Sequence, residues 1–169
     1  MRWFTGTLTA LIIGSVLAQA SLSATGQGRT LRLKIAAVWH SFTLSEKRVD
    51  VDMNQANVLD FQHKAEFTYI LLDISGASHR NFPMSQCGAG TESSLVWLRF
   101  KKWHLLEIRA VKYESCWLTI EPEKRSRQGT LLTIAFSDFH VNKNKTVTYN
   151  QAHPERGLSL TGQLMPPSK

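Results

Sequence analysis

Ser94-Leu95-Val96-Trp97-Leu98-Arg99-Phe100 decides how this chain is read. Leu95, Val96, Trp97, Leu98 and Phe100 leave almost no polar parity in the run. A short, continuous apolar stretch rich in β-branched and aromatic residues is a central strand, one that lies inside a sheet rather than at its rim. Ala65–Ile74 is a second strand. Phe67, Tyr69, Ile70, Leu71, Leu72 and Ile74 give it the composition of a pleated, covered strand.

Outward from these two runs the pattern stays at period two. Leu31–Leu44 carries Leu31, Leu33, Ile35, Ala37 and Trp39 at alternate positions and reads as one long strand. Lys47–Met53 alternates Val49, Val51 and Met53 with Arg48, Asp50 and Asp52. Asn54-Gln55-Ala56-Asn57 predicts a turn, and Val58–Lys64 fits either a helical turn or a continued strand. Ser75–Ser93, rich in Gly and Ser and containing Pro83, has no period and predicts a long connection. Trp103–Ile120 predicts one bent strand or two shorter ones, and Glu121–Gly129, with Pro122, a charged loop. Thr130–Asp138 and Lys145–Tyr149 are strands, Asn150–Gly157 is a loop, and Leu158, Leu160 and Leu164 mark a last strand.

Strands follow one another without the helical crossovers that parallel pairing requires. The expected fold is therefore all-β: a mainly antiparallel single-domain sandwich or partly closed barrel of seven to nine strands.

The first twenty residues read as an export signal. Arg2 precedes the apolar run Leu8–Leu17, and Ala18-Gln19-Ala20 supplies small residues for cleavage. The run is too short and too interrupted to span a bilayer, and no transmembrane segment is expected in the mature chain. The expected organisation is a signal peptide at 1–20, a flexible mature N-terminus at 21–30, a β-rich domain at 31–164 and a flexible tail at 165–169. The product is read as exported, to the periplasm or the medium.

Cys87 and Cys116 are the only cysteines of the chain. In an oxidising compartment they are expected to form a disulfide that pins the Ser75–Ser93 connection to the body. They lack the close C-x-x-C spacing of a redox pair.

The formal net charge is +7, or +6 once Arg2 leaves with the leader. A basic exported chain is drawn to a protein, a glycan or an anionic envelope surface. Nucleic acid is not expected outside the cell. Lys101, Lys102, Lys124, Arg125 and Arg127, with Trp97, Trp103 and Trp117 near them in sequence, are the candidates for a polyanion site.

No catalytic residue, cofactor or metal is assigned. The six histidines, His40, His63, His79, His104, His140 and His153, show no local zinc spacing. Asp138-Phe139-His140 is the nearest approach to an oriented base, and a solvated turn explains it equally simply. Asp50 and Asp52 share a strand face, which solvent explains. Cys87-Gly88-Ala89-Gly90-Thr91-Glu92 reads as a structural turn in which Glu92 caps or pairs locally, since it lacks the lysine of a phosphate loop.

The expected role is a binding or structural module, with partner contacts from Arg80, Phe82 and Met84 on the bridged connection. The alternative is a hydrolase or metal-dependent enzyme assembled from distant histidines and acids.

Overall fold

A computed structural model describes residues 22–35, 38–44, 51–77 and 90–164. The leader, the tail after Leu164, the region 45–50 and the core of the Ser75–Ser93 connection lie outside the described residues. With them lie His79, Arg80, Phe82, Met84, Cys87 and Asp50.

The described chain forms eleven strands: β1 (Leu22–Gln27), β2 (Thr30–Ile35), β3 (Val38–Thr43), β4 (Met53–Lys64), β5 (Phe67–Ala77), β6 (Thr91–Lys101), β7 (His104–Ser115), β8 (Ile120–Gln128), β9 (Leu131–Asp138), β10 (Lys143–Asn150) and β11 (Leu158–Leu164). A single 3-10 turn, Pro154–Arg156, interrupts them. Every pairing is antiparallel. β1-β2-β3 make one sheet and β4 through β11, each beside its sequence neighbour, make the other; neither is closed. The two sheets meet at a Gly28↔Met53 bridge, so β4 returns beside β1 rather than beside β3.

β5 and β6 are the centre, as their composition requires. Leu95, Val96, Trp97 and Leu98 are all fully buried, although successive side chains point to opposite faces. Ile70, Leu72, Ile74, Val96, Leu98 and Phe100 share one apolar cluster with Leu31 and Leu33 of β2. Tyr69, Leu71, Leu95 and Trp97 share a second with Leu132, Ile134 and Phe136 of β9 and Val147 and Tyr149 of β10. The middle strands thus have one core on each side. The large sheet can face itself in this way because it splits in the middle: β7 and β8 are joined only at Ser115↔Ile120.

The strand count exceeds the seven to nine expected, and each difference has a physical reason. The long strand Leu31–Leu44 is a hairpin, with Ile35↔Val38 as its end rung. Asn54–Asn57 lies within β4, where bulges at Asn54 and Leu59 bend the strand without ending it. Glu121–Gln128 is β8 and not a loop. It pairs with β9 along its length, while its other edge is open, so its side chains are wet and its sequence lacks an apolar parity. Leu22–Gln27, inside the region expected to be flexible, is β1, which pairs with β2 throughout. The segment Trp103–Ile120 holds one strand, β7, and then the turn 116–119 that leads into β8 at Ile120.

Two places in the fold restrict which residue can stand there. The turn between β6 and β7 places both Lys102 and Trp103 at positive φ (47° and 64°), the geometry of a two-residue hairpin turn. Trp103 is held there by stacking on His40 at 4.3 Å and against Phe100 at 5.8 Å. Gly76 lets β5 pass the chain at Asp52: a Cβ there would lie 1.9 Å from the Asp52 carbonyl oxygen. Among the described residues no helix is long and apolar enough to cross a membrane.

Candidate functional site

The bulge at Leu59 has the largest consequence for chemistry. In a regular strand Asp60 would share the face of Val58, which packs against the core shared with β2. The extra residue moves Asp60 into register with Leu71, facing the other core. There its buried carboxylate accepts hydrogen bonds from the Tyr149 hydroxyl at 2.5 Å, Gln151 Nε2 at 2.7 Å and Gln62 Nε2 at 2.8 Å. Gln62 also donates to the Gln151 carbonyl at 2.6 Å. The network ties β4 to the end of β10 across the second core.

A second tyrosine–aspartate pair lies nearby on β5. The Tyr113 hydroxyl donates to Asp73 Oδ1 at 2.6 Å, and the Arg125 guanidinium reaches from β8 to Asp73 Oδ2, also at 2.6 Å. Arg125 lines a cleft of about 360 Å³ with Ser126 and Arg127 of β8, Val58 and Leu59 of β4 and Leu132 of β9. Its floor is apolar and its rim is cationic. A larger hollow of about 510 Å³ runs along the seam of β1, β2 and β4, but Arg32 is the one charged side chain in its lining.

The titratable groups around the cleft are engaged. Burial, and then the hydrogen bond to Asp73, push the Tyr113 hydroxyl far above the ordinary tyrosine range. Burial and the bond to Asp60 do the same to Tyr149. Both stay neutral donors, and each aspartate has its oxygens occupied. This constellation holds strands together and leaves no free base. A stability consequence follows. Above pH of about 10 the unfolded chain ionises these tyrosines and the folded chain does not, so the folded state binds more protons. Stability is then expected to fall by up to about 1.4 kcal/mol per pH unit for each tyrosine. Denaturant melts at stepped alkaline pH check this, and Tyr149→Phe should flatten the slope.

The other residues singled out in the sequence are dispersed. Asp138 binds Lys145 Nζ at 2.6 Å and accepts from the Val141 amide at 3.4 Å, while His140 is exposed in the following turn. His40 stacks on Trp103 and Phe42, His63 Nδ1 meets Thr68 Oγ1 at 3.2 Å, and His104 is exposed at the start of β7. His153 lies 3.5 Å from Glu155, whose carboxyl is held down to about 2, chiefly by the Lys64 ammonium at 2.9 Å. Among the described residues no three of His, Cys, Asp and Glu gather where a metal ion would bind. Asp52 is exposed.

The basic groups and tryptophans also separate. Lys101 pairs with Glu66 at 2.8 Å at one end of β6. Trp117 is half exposed beyond the far end of β7, roughly 36 Å away by strand rise. Trp97 is core: it stacks on Tyr69, lies under the Arg109 guanidinium at 5.3 Å and donates from Nε1 to the Pro154 carbonyl at 2.9 Å. Of the basic candidates, Arg125 and Arg127 reach the cleft. Glu92 pairs with Lys112 Nζ at 2.8 Å on the adjacent strand β7, a cross-strand contact and not the local one expected.

Sequence reasoning does not find Asp60, Asp73, Tyr113 and Tyr149. Asp73 leaves a signal, a carboxylate between Leu72 and Ile74 in an apolar strand. Compared with protein-family models, curated proteins and solved structures, the chain matches none.

Proposed function

We propose that this chain is an exported, disulfide-stabilised β module that binds a partner in the cell envelope or the extracellular space. The observation that carries the reading is the cleft between β4 and β8. It has an apolar floor of Val58, Leu59 and Leu132 and a rim of Arg125 and Arg127, and the acids and phenols behind it are already hydrogen-bonded. Such a site offers contact area and positive charge without a poised base, which suits recognition of an anionic group. The connection bearing Arg80, Phe82 and Met84 is the proposed second contact surface.

Export is supported by the leader Arg2, Leu8–Leu17 and Ala18-Gln19-Ala20. The Cys87–Cys116 bridge is supported by the export reading and by the position of Cys116, half buried in the turn between β7 and β8.

Affinity capture from envelope extract tests the binding role. The wild-type chain is expected to retain a partner that Arg127→Glu loses, with unchanged melting. Capture that survives both Arg127→Glu and the pair Arg80→Ala, Phe82→Ala removes both proposed surfaces.

A further inference from the structure

The hairpin of β2 and β3 ends in side chains that packing does not explain. Its end rung is Ile35↔Val38 and the next is Lys34↔Trp39. Ile35 packs on the core shared with β5 and β6, but Val38 is 57 % exposed and Trp39 is 49 % exposed. The two point to opposite faces of the hairpin, Val38 with the inward parity of His40 and Phe42, Trp39 with the outward parity of Ser41. The tip is therefore apolar on both sides. Behind it stand two cations on the outer face: Lys34, whose Nζ lies 5.7 Å from the Trp39 ring centre, and exposed Arg32, paired with Ser41 one same-face step further back.

We propose that this tip docks the protein on an anionic lipid surface, with Val38 and Trp39 entering the headgroup region and Lys34 and Arg32 meeting lipid phosphates. The charge order along the hairpin fits that occupant. An indole is stable at the boundary between headgroup and acyl chain, and a lysine beside it keeps its stem in the apolar zone and its ammonium at the phosphates. Each Lys or Arg near an anionic bilayer adds attraction that salt weakens, and the net charge, +6 once Arg2 leaves with the leader, acts in the same sense. A sugar-binding platform would present its aromatic ring on one flat face; here exposed apolar side chains, Val38 and Trp39, lie on opposite faces of the hairpin. The inference deepens the proposed envelope role, and rests on it for where the protein meets such a membrane.

Vesicle co-sedimentation of the protein as cells export it tests the proposal. Phosphatidylcholine vesicles containing phosphatidylglycerol are expected to bind it, and pure phosphatidylcholine vesicles to bind it far less. Val38→Asp and Trp39→Ala are each expected to lower partitioning about tenfold or more, because each removes most of one apolar contact. Lys34→Glu should lower it and weaken its salt dependence. All three side chains lie at the surface, and unchanged melting curves confirm folding. Equal partitioning of Val38→Asp and wild type overturns the proposal, as does capture by an acidic polysaccharide without vesicle binding. Intact mass reads the leader separately: an uncleaved leader overturns the processing step of the proposed function, while the ratio of variant to wild type still decides the hairpin.

Discussion

Trp97→Ala is expected to cost about 3–5 kcal/mol of stability, the range for deleting a large buried aromatic. The indole is fully buried in the second core. It stacks on Tyr69 at 6.0 Å, carries the Arg109 guanidinium at 5.3 Å and donates to the Pro154 carbonyl. Gly157, at φ 69°, packs against its ring so closely that a Cβ would sit 3.3 Å from Cδ2. Alanine would leave a cavity, leave the Pro154 carbonyl with the Gly157 amide as its remaining donor, and loosen the Pro154–Arg156 turn. For a chain of this size the midpoint should fall by roughly 10 °C. Trp97→Phe keeps most of the ring but not the donor, and should cost about 1–2 kcal/mol. Calorimetry of both variants checks the pair. Similar midpoints for Trp97→Ala and wild type would show that the turn and the indole are not coupled.

Cys116→Ser is expected to cost about 3.5 kcal/mol if the proposed bridge to Cys87 closes its loop of 28 residues, by the chain-entropy estimate. Its position makes the tie more than a generic crosslink. Cys116 opens the turn at which β7 hands over to β8, and Ser115↔Ile120 is the one backbone rung there. A covalent link at that bend would hold the long connection against the place where the sheet is least continuous. Thiol-reactive labelling and mass spectrometry of native material should find neither sulfur free, and a reductant should reproduce the loss of stability seen in the serine variant. Two labelled cysteines, or a serine variant as stable as wild type, would sink the bridge and weaken the argument for export.

The parts of this fold visible in the sequence are those whose burial is written locally. β5 and β6 are apolar at both parities because both of their faces are covered. β9 and β10 alternate because one face is covered. β8 is hidden because an exposed strand with an open edge needs only charge, Pro122 and a partner, which composition does not distinguish from a loop. β1 is hidden because its inward positions include small residues, Ala24 and Gly26, whose partial burial against the core and Met53 leaves little apolar signal. The candidate cleft is half visible. The charge cluster Lys124-Arg125-Ser126-Arg127 stands out, and Arg125 and Arg127 do line it. Asp60 does not stand out, because its orientation depends on a bulge, and an extra residue in a ladder reverses the parity of all that follows. Asp138, weighed beside His140 as an oriented base against a solvated turn, is buried and bound by Lys145 from the adjacent strand, a contact that local spacing does not record.

The order of strands from β4 to β11 carries a kinetic consequence. Every one of them lies beside its immediate predecessor, so most ladders close over a short turn and little loop entropy opposes them. Such a meander can zip hairpin by hairpin from any starting rung, faster than a β topology built on distant pairings. Several closures break that rule, among them the return of Met53 to Gly28, the Asp60 network that joins β4 to the end of β10, and the landing of the Pro154 turn on Trp97. These join residues far apart in the chain, so they set the pace of the final step and mark the moment at which the zipped ribbon becomes a cooperative body.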